Sequence, residues 1–177
     1  SASTLSVTGC FTTDYISYMI TGYLKPTDNT QDITFKFRTD SGTVEGDASP
    51  GSNYYYGGQG YGSNGLKQFG GGDAAEAIFV DSAWEDDYAG GASLTFWTNL
   101  VKTKTTIGGA TIATGNVWRP ALYGSYFTYD PTYYYTSISY SVRHNLDQDK
   151  QLITGLYFAC TDNIDTGSWI KVYGLKE

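Results

Sequence analysis

Alternation with a period of two residues runs through this chain from end to end, and it limits the fold more than any single motif does. In Asp32–Thr39, Ile33, Phe35 and Phe37 fall on one side while Thr34, Lys36 and Arg38 fall on the other. That is the signature of a strand with one buried face and one wet face. Tyr15–Leu24 sets Ile16, Tyr18 and Ile20 against Ser17, Met19 and Thr21, and the KPTDNTQ after it is rich in turn residues. The two segments are expected to pair as a hairpin. Ala92–Val101 places Leu94, Phe96 and Leu100 opposite Thr95, Trp97 and Asn99, which suits the middle of a sheet. Tyr134, Thr136, Ile138, Tyr140 and Val142 alternate with Tyr135, Ser137, Ser139 and Ser141, and Leu152–Cys160 and Trp169–Leu175 follow as strands divided by TDNIDTGS. Glu76–Asp81 and Trp118–Tyr129 are weaker strands, and Asp73–Val80 has room for one helical turn.

No segment carries the 3.6-residue period of an amphipathic helix, and a composition led by Gly, Thr, Ser and Tyr disfavours helices on propensity as well. About eight strands at irregular spacing predict an all-β chain, an antiparallel β-sandwich of jelly-roll type. A length of 177 residues fits a single domain over 1–177, with an N-terminal arm at 1–13 and a long Gly/Tyr-rich loop at 41–72. A loop of that length is either low-complexity chain or a segment that orders on a partner.

Charge and cysteine usage exclude several functions. Eleven Lys and Arg against 18 Asp and Glu give a net charge of -7 without a basic run, so no nucleic-acid partner is expected. No stretch approaches the roughly 18 apolar residues of a membrane span, and Ser1–Cys10 lacks the basic flank and apolar core of a signal peptide. The chain is therefore expected to be soluble and made in a cytoplasm. Cys10 and Cys160 lie near opposite ends without CxxC spacing, which leaves two readings: buried free thiols, or a disulfide joining the first and last strands.

The inventory for catalysis is thin. His144 is the single histidine and sits in VRHNLDQDK, read as a surface turn, and no GxSxG elbow accompanies it. Asp81, Glu85, Asp86 and Asp87 could supply paired carboxyls, yet four acids in a Gly-flanked stretch read first as a solvated loop tip. Asn145, Asp147 and Asp149 alternate as calcium ligands do, without the glycine and terminal Glu of a calcium loop. Neither phosphate-cradle motif occurs. No enzyme activity, cofactor or metal is expected.

What is distinctive is tyrosine, 17 of them. A Tyr ring offers a large apolar body with a hydroxyl and loses little rotamer entropy, so it recurs where a surface must be both wet and adhesive. Tyr54, Tyr55, Tyr56 and Tyr61, with Tyr133, Tyr134 and Tyr135, are the candidate partner contacts, although about half of the clustered rings could equally serve as core or edge cover. Trp84, Trp97 and Trp118 form the candidate glycan platform.

The C-terminal segment LITGLYFACTDNIDTGSWIKVYGLK resembles the closing hairpin of small tailed-phage virion proteins, found alone or at the ends of tail fibres. The likeness is carried by Thr166, Gly167, Trp169, Ile170, Val172, Tyr173, Gly174, Leu175 and Lys176. YMITGYLKPTDNTQDITFKFRTDSG and GGASLTFWTNLV fit the same pattern, so it covers about residues 14–176. The resemblance implies a jelly-roll-like sandwich on a phage particle, adhesive or cementing and not catalytic. A free-standing domain of this kind suits a capsid decoration protein on the major capsid protein or another virion protein, as a homo-trimer or other homo-oligomer. The alternative is a tail-fibre or adsorption domain for host carbohydrate.

Overall fold

The computed structural model describes residues 2–12, 14–15, 17–27, 31–39, 42–43, 54–62, 65–80, 91–98, 104–107, 110–113, 121–130, 134–144 and 153–176. Their strands are β1 (Ala2–Val7), β2 (Ser17–Leu24), β3 (Ile33–Thr39), β4 (Gly42–Thr43), β5 (Tyr54–Gly62), β6 (Gly65–Ala74), β7 (Ala77–Val80), β8 (Ala92–Thr98), β9 (Lys104–Ile107), β10 (Ala110–Ala113), β11 (Ala121–Asp130), β12 (Tyr134–His144), β13 (Ile153–Ile164) and β14 (Trp169–Leu175). Every pairing among them is antiparallel. A seven-stranded sheet runs β14-β2-β8-β11-β12-β5-β6, and a five-stranded sheet runs β1-β13-β3 with β4 and β7 both on the far side of β3. β9 and β10 pair with each other. The antiparallel β-sandwich expected from the alternation is the fold, and no described helix is long and apolar enough to cross a membrane.

The alternation decides what each sheet buries. Tyr18, Ile20 and Leu24 of β2, Leu94 and Phe96 of β8, Leu122 and Tyr126 of β11, and Ile138, Tyr140 and Val142 of β12 face inward from the larger sheet. Ile33, Phe35 and Phe37 of β3, Phe79 of β7, and Leu156, Phe158 and Cys160 of β13 meet them from the smaller one. Phe79 is the hub: its ring lies 5.0 Å from Phe96, 5.2 Å from Tyr140 and 6.0 Å from Tyr126 across the sandwich, and 5.3 Å from Phe158 within its own layer.

Two tyrosines of the seven-stranded sheet also tie polar backbone of the opposite sheet. The Tyr140 hydroxyl donates to the Ile78 carbonyl at 2.7 Å. Between the stretches of β3 that pair with β7 and with β4, the Phe37 N–H donates to the Tyr54 hydroxyl at 2.9 Å. Each satisfies a buried main-chain group that would otherwise cost about 1–3 kcal/mol.

Several sequence expectations change here. The described residues of the 41–72 segment are strand: β5 and β6 form a hairpin, and β4 pairs with β3. The 1–13 arm contains β1, which pairs with β13. β2 and β3 do not form a hairpin, because β2 joins the seven-stranded sheet and β3 the other. β13 and β14 part in the same way. The two crossings are stitched together at one end of the sandwich, where the Asp165 N–H donates to the Lys25 carbonyl at 2.8 Å and the Thr27 N–H to the Asn163 carbonyl at 2.9 Å. Turn-rich sequence marks where a strand ends, and it does not say which sheet the chain enters next. The stretch considered for a helical turn is the end of β6 and the whole of β7.

His144 closes β12 on the inward side, 2 % exposed, with its ring edge-on to Tyr54 at 4.4 Å. It is a core residue and not a surface turn, since β12 extends past Val142 and position 144 keeps the parity of Ile138, Tyr140 and Val142. Cys10 and Cys160 are not joined in a disulfide. The Cys10 thiol lies 3.7 Å from the carbonyl of Thr154 on β13, which puts Cys160, six residues further along that strand, about 20 Å away at some 3.3 Å per residue.

Candidate functional site: the outer face of the seven-stranded sheet

Among the described residues, the large exposed apolar side chains are not scattered. Tyr61, Leu66, Trp97, Tyr123, Phe127, Trp169, Tyr173 and Leu175 all belong to strands of the seven-stranded sheet and point away from the sandwich interior. The registers align them in rows across the strands. One row runs Trp169, Tyr23, Ser93, Phe127, Ser137, Tyr61, Leu66. Two residues along each strand, the next row on this face runs Lys171, Thr21, Thr95, Ser125, Ser139, Gln59, Gln68 and holds no apolar side chain. A third runs Tyr173, Met19, Trp97, Tyr123, Ser141, Gly57, Gly70. A ladder of hydroxyls and amides thus lies between two rows that hold aromatic rings, with neighbouring positions about 4.8 Å apart.

The third row descends from large to small. Tyr173, Trp97 and Tyr123 occupy its β14, β8 and β11 positions, then Ser141, Gly57 and Gly70 drop almost to the level of the backbone. The step makes a shallow groove of about 630 Å³, lined by Gly57, Gly58, Gln59, Gln68, Phe69, Tyr123, Gly124, Ser139, Tyr140 and Ser141. Gly58 has no room for a side chain beneath it: a Cβ there would run into the Phe69 ring, which lies across β5 on the inner side and stacks on Tyr140. Tyr123 is half exposed and forms the wall, with Trp97 as its cross-strand neighbour on β8. Gln68 Nε2 donates to Gln59 Oε1 at 3.4 Å. Beyond the groove on β12, the Arg143 guanidinium sits over the Tyr55 ring, 5.0 Å from its centre.

The sequence-predicted contact residues divide. Tyr61 is 72 % exposed on the outer face, as a contact residue requires. Tyr54 is fully buried and belongs to the core, so its assignment as a contact residue is corrected: position 54 shares inward parity with Gly58 and Gly60, and its hydroxyl is committed to Phe37. Tyr55 and Tyr56 are half-buried. Of Tyr134 and Tyr135 only the backbone, at the start of β12, is described. Tyr133, Trp84 and Trp118 lie outside the described residues, as do Asp81, Glu85, Asp86, Asp87, Asn145, Asp147 and Asp149. Trp97 is on the outer face at 36 % exposure.

Sequence reading missed Phe127, Trp169 and Tyr173 as surface residues, and Gln59 and Gln68 altogether. For Phe127, Trp169 and Tyr173 the signal was parity, since they share strand faces with Ser125 and Lys171; Gln59 and Gln68 had no such signal, their strand faces holding Gly57 and Tyr61, and Leu66 and Gly70. No group of three or more His, Cys, Asp or Glu side chains able to hold a metal occurs among the described residues. No protein-family model, no curated protein and no solved structure matches this chain.

Proposed function

We propose that this chain is a non-enzymatic adhesion protein of a tailed-phage virion, working through the outer face of its seven-stranded sheet. The observation that carries adhesion is the gathering of exposed aromatic side chains, Tyr61, Trp97, Tyr123, Phe127, Trp169 and Tyr173, on one sheet face. Apolar surface concentrated on one side of a domain marks a contact surface, and aromatic anchors carry most of the energy of such contacts. The virion placement rests on the resemblance carried by residues 14–176.

In this reading the protein is a capsid decoration, or cement, protein of jelly-roll type. Assembled in the host cytoplasm, it docks on the major capsid protein or another virion protein as a homo-trimer at a local three-fold position and reinforces the shell. Virions lacking it are expected to burst at lower temperature and milder osmotic shock. Unchanged resistance, or its location on the tail in an electron-microscopy map, overturns the cementing role. A second reading, a tail-fibre or adsorption domain for host carbohydrate, is favoured by the groove at Tyr123, whose lining includes the hydroxyls of Ser139 and Ser141 and the amides of Gln59 and Gln68.

A further inference from the structure

We propose that the groove over β11, β12, β5 and β6 binds a neutral saccharide, with Tyr123 as the stacking wall and Gln59, Gln68, Ser139 and Ser141 reading sugar hydroxyls. The proposal rests on the outer sheet face being the working surface, and it names the ligand class of one part of that face.

Size, chemistry and charge agree. A volume of about 630 Å³ lies within the ordinary range of small-ligand sites, roughly 300–1,000 Å³. A sugar ring presents an apolar face of C–H groups and an equatorial rim of hydroxyls. Its complement is an aromatic wall beside short groups that both donate and accept hydrogen bonds, which is what Tyr123, two amides and two serine hydroxyls provide. The hydroxyls of Tyr123, Ser139 and Ser141 have no hydrogen-bond partner among the described residues, and the Gln59–Gln68 bond leaves the Gln59 amino group and one Gln68 N–H to donate elsewhere.

No charged side chain is among the described residues that line the groove, and the whole chain carries -7, so an anionic sugar would meet repulsion without a compensating cation. Arg143, the next outward-facing residue of β12 after Ser141, is held over Tyr55. Every contact residue sits on a strand, so the site is held by the sheet's own hydrogen bonds and asks little ordering of the protein on binding.

The experiment uses the full chain on an array of neutral oligosaccharides ending in glucose, galactose, mannose or N-acetylglucosamine, beside sialylated and sulfated ones, followed by calorimetric titration of the best neutral binder. Neutral glycans are expected to bind and acidic ones not. Tyr123→Ala is expected to weaken binding about tenfold, the equivalent of about 1.4 kcal/mol. Gln68→Ala should weaken it several-fold, and Ser139→Tyr, which fills the groove from the solvent side, should abolish it. Thr4→Ala, on β1 of the five-stranded sheet, should leave the affinity within twofold.

Binding of acidic glycans alone, or an unchanged affinity in Tyr123→Ala and Ser139→Tyr, overturns the proposal. Absence of glycan binding by a protein that still attaches to capsids stripped of it overturns the saccharide site and leaves adhesion standing. Absence of both overturns both.

Discussion

Tyr54 and Tyr61 stand at opposite ends of β5 and have opposite surroundings. Tyr54 is fully buried, stacked 6.3 Å from Phe37, its hydroxyl accepting the Phe37 N–H from the facing sheet. Tyr61 is 72 % exposed, in a row of outward-facing side chains with Phe127 and Trp169. The residue type is the same, and strand parity alone separates a structural role from a contact role. A count of tyrosines therefore mixes two populations: Tyr18, Tyr54, Tyr126 and Tyr140 build the core, while Tyr61, Tyr123 and Tyr173 are exposed on the outer face.

The strongest way to break the inner population is through its hub. Phe79→Ala removes a ring packed against five other aromatic residues of both sheets. The expected loss is about 3–5 kcal/mol of unfolding free energy, measured by urea denaturation. A loss under about 1 kcal/mol would show that the two layers do not depend on this contact.

A finer test keeps the ring and removes only the oxygen. Tyr54→Phe leaves the Phe37 N–H buried without its acceptor and is expected to cost about 1–3 kcal/mol. Tyr61→Phe is expected to change stability by less than about 0.5 kcal/mol. Equal effects at the two positions would erase the distinction. The same contrast explains why replacing Tyr54, Tyr55 and Tyr56 together by Ser cannot report on binding: the first of the three is core, so such a variant tests folding. Tyr61→Ser and Trp169→Ser are the clean probes of adhesion, expected to weaken particle binding while the urea midpoint stays put.

The alternation made much of the fold legible before any coordinates. Ile33, Phe35 and Phe37 are buried as their spacing requires, and β8, expected in the middle of a sheet, is flanked by β2 and β11. What could not be read was partnership between strands. β2 and β3 are consecutive and amphipathic, yet belong to different sheets, because the hydrophobic pattern fixes which face is buried and not which strand lies alongside. The β5–β6 hairpin was hidden by glycine: in YYYGGQGYG the inward positions Gly58 and Gly60 carry no apolar side chain to reveal the period. There the inner face is filled from the next strand, by Phe69 lying across Gly58, and a local reading has no access to that. The groove was illegible for a related reason, since Gln59, Gln68 and Ser139 become neighbours only when β6, β5 and β12 pair.

The smallest expected effect reads inside against outside through pH. Burial on β13 raises the Cys160 thiol above its ordinary range, with the Asp162 and Asp32 charges acting the same way and backbone hydrogen bonds at Asp162 and Asn163 opposing them. A group whose folded pKa exceeds its unfolded value contributes stability that is complete below the unfolded pKa, about 8.5 for a thiol, and is lost as pH rises through the folded value. Unfolding free energy should therefore decline as pH rises above about 8.5. Cys160→Ala should flatten that decline. Tyr140, also raised by burial, adds a drop of the same sign only above about pH 10, so it does not confound the window. Urea midpoints of the unaltered protein and of Cys160→Ala at about pH 8 and about pH 9.5 decide the matter: if the slope survives Cys160→Ala, a group other than the buried thiol is responsible for it.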